Sequence, residues 1–143
     1  MSRDFDECVK RKRIVAQDFT IALIPAELDA ARKDPEWAQH SLGERNEKWA
    51  TIQAYYAIFH AARALLFAKG YREKGHFCLK AAIQTLYVDA GILEQEFVDD
   101  FDTTMLLRET ADYRSDFSPE GAASALESAE RFLARAEELL KPK

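Results

Sequence analysis

Glycine and proline are scarce in this 143-residue chain, five and four residues respectively, which leaves little turn material for a β-rich fold. Cysteine is scarcer still. Cys8 and Cys78 form neither a disulfide framework nor a Cys-x-x-Cys motif, and they read as reduced thiols of a cytosolic protein. No apolar run reaches membrane-spanning length and no signal-peptide pattern is present, so the expected location is the cytoplasm, with no membrane contact. The net charge of −5 argues against a broad nucleic-acid-binding face while leaving room for a local basic cleft. The three histidines, His40, His60 and His76, lack metal-ligand spacing. A P-loop, a Rossmann fingerprint and a nucleophile elbow are all absent, and neither a metal nor a cofactor is expected.

What is present favours helices. A hydrophobic content of 48% beside 31% charge fits a folded globular domain rather than a disordered chain. Ala, Leu, Glu, Lys and Arg dominate, all good helix formers. One or two helical turns are predicted within 3–13, where Lys10 to Arg13 reads as a solvated basic face, and 14–19 reads as extended or irregular. A first long helix spans Pro25 to Leu42, with proline at its favoured first position and a kink or break expected near Asp34, before Pro35. A second runs from about Asn46 to Lys69 and stops at Gly70. A third spans about His76 to Asp89, and a fourth about Glu94 to Tyr113. Ser118-Pro119 caps the start of a fifth that reaches Leu140. The sum is an all-α, up-and-down bundle of four long helices plus a short additional one. The chain reads as a single domain over 1–143, with an N-terminal extension 1–23 and the bundle over 24–141.

The second predicted helix carries an anomaly. It is apolar around most of its circumference, yet at about 100° per residue Gln53, Tyr56, His60 and Arg63 fall within roughly 80° of one another. A buried polar stripe costs free energy unless each group finds a partner. Further polar groups lie at Arg72 and His76 in the next connection, and at Arg108, Asp112 and Tyr113 near the end of the fourth helix. His60 and Arg63, and likewise Arg108 and Asp112, share helix faces. Two readings fit. The cluster could clasp a phosphate through arginine forks, with a histidine as acid or base. Alternatively, a buried Arg63–Asp112 ion pair, with Tyr56 and His60 bonded around it, explains the stripe as structure. Tyr55, Phe59 and Leu66 read as core.

Three segments also carry a family resemblance: 48–66, its continuation Lys69 to His76, and Leu107-Arg108-Glu109-Thr110-Ala111-Asp112-Tyr113. They resemble the second helix, the following connection and the "LRxxADY" stretch of HEPN-domain proteins. Ala129 to Leu133 fits the family's last helix, and the resemblance covers about 24–141. It implies a four-helix bundle with a short extra helix, often a homodimer, working beside a minimal nucleotidyltransferase in toxin–antitoxin pairs. It also implies, for active members, a metal-independent endoribonuclease built on an Arg followed four to six residues later by a His. Here no His follows Arg108 within that window, and Arg72 and His76 have one residue too few between them. The expected function is therefore a HEPN-type module, rather than an enzyme, that pairs with a minimal nucleotidyltransferase. It would take a nucleotide or RNA phosphate in a cleft between the second and fourth helices. The candidate ligand-binding residues are Tyr56, His60, Arg63, Arg72, His76, Arg108, Asp112 and Tyr113. An endoribonuclease toxin and a purely structural interaction bundle are the alternatives.

Overall fold

The structure is a computed structural model that describes residues 2–141. Met1, Pro142 and Lys143, at the ends of the expected single domain, lie outside the described residues. Its elements are α1 (Ser2–Lys10), β1 (Ile14–Ala16), a 3₁₀ turn (Thr20–Leu23), α2 (Ile24–Gly43), α3 (Glu47–Ala68), β2 (Tyr71–Glu73), α4 (His76–Ile83), α5 (Gln95–Arg114) and α6 (Pro119–Leu140). The all-α expectation holds: α2, α3, α5 and α6 are the four long helices of the bundle. Among the described residues, no helix is long and apolar enough to cross a membrane.

α3 is the axis of the molecule. Tyr55, Ile58, Leu65 and Leu66 are fully buried, which a helix apolar on most sides requires. α2, α4, α5 and α6 all pack against it. Phe101 of α5 and Phe132 of α6 meet edge to face beneath it, with ring centroids 6.1 Å apart. Fully burying each such side chain contributes about 1.5–3 kcal/mol. α6 presents Ala122, Leu126, Ala129, Phe132, Leu133 and Ala136 to this core at helical spacing. Ser118 caps it, its Oγ accepting from the Gly121 amide at 2.9 Å, with Pro119 in the first turn. Gly70, which ends α3, takes φ +82°, a left-handed value that favours glycine.

Four features depart from the sequence reading. α2 continues through Pro35, which is itself buried, so the helix does not break there; packing along α3 outweighs the lost backbone hydrogen bond. The third helix is not uniform: α4 ends in a π-turn over Gln84–Val88, which lets the Tyr87 hydroxyl donate to the Leu65 carbonyl at 2.5 Å. The extended segment after α1 and the connection after α3 pair as a small antiparallel ribbon, Ile14 opposite Glu73 and Ala16 opposite Tyr71. Finally, the cysteines are not free thiols. Packing of α1 on α4 brings Cys8 and Cys78 to a Cα separation of 5.7 Å, and they form a disulfide across 70 positions of sequence. No local pattern could have revealed that proximity.

Candidate functional site

The polar stripe of α3 divides into three parts according to what covers it. Gln53 serves the α2–α3 corner, where its amide bonds the Ser41 hydroxyl at 2.7 Å and donates to the Trp37 and Trp49 carbonyls. His60 and Arg63 face α2 and β2. His60 Nδ1 lies 2.8 Å from Glu27 Oε2, and Nε2 lies 3.9 Å from Asp34 Oδ2. Arg63 spans Glu27 at 3.2 Å and Glu73 at 2.9 Å, with its guanidinium against the rings of Phe59 and Phe67. This half of the stripe is matched by carboxylates. Burial raises the pKa of Asp34, and the nearby His60 pulls it back. The expected Arg63–Asp112 ion pair is not formed. Arg63 turns toward Glu27 and Glu73, and Asp112 pairs within its own helix with Arg108, because α5 covers only the Tyr56 side of α3.

The Tyr56 side is different in kind. Arg108 of α5 donates from Nη2 to the Tyr56 hydroxyl at 3.1 Å. Its guanidinium carbon sits 5.6–5.7 Å from the ring centroids of Tyr55, Tyr56 and Tyr113, an aromatic cage for a cation. Asp112 approaches only to 3.7 Å, and the buried Nε of Arg108 has no partner among the described residues. The charge is thus held by rings and one hydroxyl rather than by a close carboxylate.

His76, at the start of α4, completes this cluster. Its ring stacks on Phe59 at 4.6 Å and on Tyr55 at 5.5 Å, and Nδ1 contacts the Tyr55 hydroxyl. Burial, then the positive charge of Arg108, lowers the His76 pKa, while Glu109 acts in the opposite sense. Burial likewise raises the Tyr55 pKa, so that hydroxyl stays protonated. A protonated Tyr55 donates to Nδ1, which leaves the imidazole proton on Nε2. A neutral histidine, an arginine and exposed Tyr113 therefore share one surface.

Of the sequence candidates, the fold brings Tyr56, His76, Arg108, Asp112 and Tyr113 together. His60 and Arg63 form the adjoining acidic-matched cluster, separated by Phe59. Arg72 lies in β2 opposite Val15, on the strand face away from Glu73 and hence from Arg63. Tyr55 was legible only as a core residue, and its hydroxyl's hold on His76 was not. Phe59 is half-buried and acts as the stacking platform. Glu27, Asp34 and Glu73 carried no sequence signal, since each meets its partner only through tertiary packing. A cavity of about 520 Å³ lies elsewhere, between α4 and α5, and Asp99 and Asp102 line it. Its Lys80 is already neutralised by Asp102 at 2.7 Å, so it offers little to an anion.

The all-helical bundle defines the fold class, and comparison with known proteins gives the family. The HEPN domain model matches residues 26–142, and the chain belongs to the HEPN family. It is 36% identical over 93 residues to a Methanocaldococcus jannaschii protein named "Putative toxin MJ0605", covering 64% of this chain and 69% of that one. A UPF0332 protein of Thermotoga maritima is 31% identical over 94 residues, covering 64% and 71%. In fold, the chain is similar to the crystal structure of TT1696 from Thermus thermophilus, with a TM-score of 0.71 and 23% identity. That match covers 82% of this chain and 98% of the other.

Proposed function

We propose that this HEPN module is the toxin-side member of a two-protein system, binding a nucleotide or RNA phosphate at the Arg108–His76 cluster and pairing with a minimal nucleotidyltransferase. One observation carries the ligand reading: Arg108 is held in a cage of tyrosine rings with its Nε unpartnered and its nearest carboxylate at 3.7 Å. A structural arginine of comparable burial, Arg63, has carboxylates at 2.9 and 3.2 Å. A guanidinium's planar fork matches a phosphate, and the neighbouring aromatic rings suit a stacked base. The relative named as a toxin and the family resemblance support the two-protein setting.

Calorimetric titration with nucleotides and a short single-stranded RNA tests the reading. Arg108→Ala is expected to weaken binding about 10- to 100-fold, in line with roughly 1.5–3 kcal/mol for a charge-assisted hydrogen bond. Absence of binding by the wild-type chain, or an unchanged affinity in the variant, overturns the ligand reading. Co-purification with a minimal nucleotidyltransferase tests the partner, and failure of the two proteins to associate overturns that part of the reading. A second reading, metal-independent RNA cleavage, is favoured by one observation: neutral His76, from the start of α4, lies in the cluster with Arg108, whose own helix supplies no histidine. Cleavage that survives both His76→Ala and Arg108→Ala rejects it.

A further inference from the structure

The Cys8–Cys78 disulfide plays no part in the ligand reading, yet it is built onto the edge of that site. Cys78 lies two positions after His76, in the first turn of α4, and Cys8 lies in α1. Both cysteines are buried, 4% and 9% exposed. A cavity of about 330 Å³ nonetheless opens beside them, lined also by Glu7, Arg11, His76 and Phe77. α1 is only nine residues long, too short to persist as a helix by itself. Its other apolar anchor is Phe5, edge-on to Tyr71 at 6.1 Å.

The polar connections lead the same way. The Cys8 carbonyl accepts from the Arg13 amide at 2.8 Å, and the Arg13 carbonyl accepts from the Lys74 amide at 2.8 Å. Arg13 Nη1 also donates to the Lys74 carbonyl at 3.3 Å. The end of α1 and the start of β1 therefore grip the chain two residues before His76, and the disulfide grips it two residues after. Both α1 and β1 precede residues 26–142, the segment matched to the HEPN family.

We propose that Cys8–Cys78 is a thiol-operated latch on the Arg108–His76 site: a dithiol opens it, α1 detaches from α4, and affinity for the anionic ligand falls. The inference rests on the ligand reading given above. The chemistry balances as thiol–disulfide exchange. One thiolate of the dithiol attacks a sulfur of the bridge, forming a mixed disulfide and releasing the other cysteine as a thiolate. The second thiol of the reductant then closes on its own sulfur and releases the remaining cysteine. Two electrons pass to the protein, both cysteines end as thiols after protonation, and the dithiol ends as a cyclic disulfide. The cavity beside the bridge is the approach route.

The test compares the full chain oxidised, the chain reduced with dithiothreitol, and the variant carrying Cys8→Ala with Cys78→Ala. Amide hydrogen exchange and titration with the same RNA oligonucleotide are measured on each. Opening of the latch is expected to speed exchange in α1 at least tenfold, leave α3 and α6 unchanged, and raise Kd at least fivefold. The double variant should match the reduced chain and ignore dithiothreitol. Unchanged exchange in α1, equal Kd in the two redox states, or a response to dithiothreitol in the double variant overturns the proposal. So does loss of protection throughout α3 and α6, which would make the bridge a general staple. A chain that binds no RNA even when oxidised overturns the ligand reading and the control of it together, and that failure shows before any reductant is added.

Discussion

Replacing Arg63 by methionine isolates the energetics of the acidic-matched half of the stripe. Arg63 and Glu73 have side chains 17% and 7% exposed, and they meet at 2.9 Å. Methionine preserves much of the packing against Phe59 and Phe67 but leaves the Glu73 carboxylate shielded from water with its cation gone. Breaking one side of a buried pair costs about 3–5 kcal/mol; the residual exposure here puts the expectation near 3 kcal/mol. At about 3 °C per kcal/mol for a domain of this size, Tm should fall by about 9 °C, readable by circular dichroism and checked by urea unfolding. Adding Glu73→Leu removes the stranded charge and should restore stability to within about 1 kcal/mol of wild type. A loss below about 1 kcal/mol in the single variant, or no recovery in the double, refutes the argument that this arginine is held by its buried carboxylates.

Other outcomes follow from particular contacts. Ser118→Ala removes the cap on the Gly121 amide and should cost about 1 kcal/mol, whereas Ser118→Asp, which can cap equally well, should leave thermal unfolding nearly unchanged. The lowered pKa of His76 means that the unfolded chain takes up its proton first as pH falls. Its contribution is complete above pH 6.5, the ordinary histidine value, and is lost as pH drops from there through the folded value. His76→Gln should flatten that part of a stability–pH profile. Asp34 has the opposite sign: burial raises its pKa, so its ionisation weakens the fold as pH rises from 3.8 through the folded value. Asp34→Asn should accordingly raise Tm at pH 7, and the gain should vanish in acid.

The helices themselves were open to reading from local pattern. Ala, Leu and aromatic residues at helical spacing mark α3 and α6, Ser118-Pro119 marks a start, and Gly70 marks an end. Each signal acts within a few residues, which is why it survives in one dimension. The anomaly of α3 was also legible, because four polar groups on a helix that must be buried need partners wherever they lie. Which partners they find was not legible. Glu27 lies 33 positions from His60, Glu73 lies 10 from Arg63, and Arg108 lies 52 from Tyr56. Nothing local distinguishes Glu27 or Glu73 from other charged surface residues, and the pattern that marks Arg108 does not say that Tyr56 is its partner.

The remaining features depended on how the helices pack. Packing carried α2 through Pro35, because side-chain contact along a long interface outweighs one missing backbone hydrogen bond. It turned two widely separated cysteines into a bridge. It also divided one stripe into separate parts, since α2 and β2 bring carboxylates to His60 and Arg63, α5 brings a guanidinium to Tyr56, and the α2–α3 corner takes up Gln53. Local pattern was enough to specify a helical bundle with a polar seam. Long-range packing determined that His76 and Arg108 meet there, because contacts across a fold depend on how faces meet and not on the spacing within any one helix.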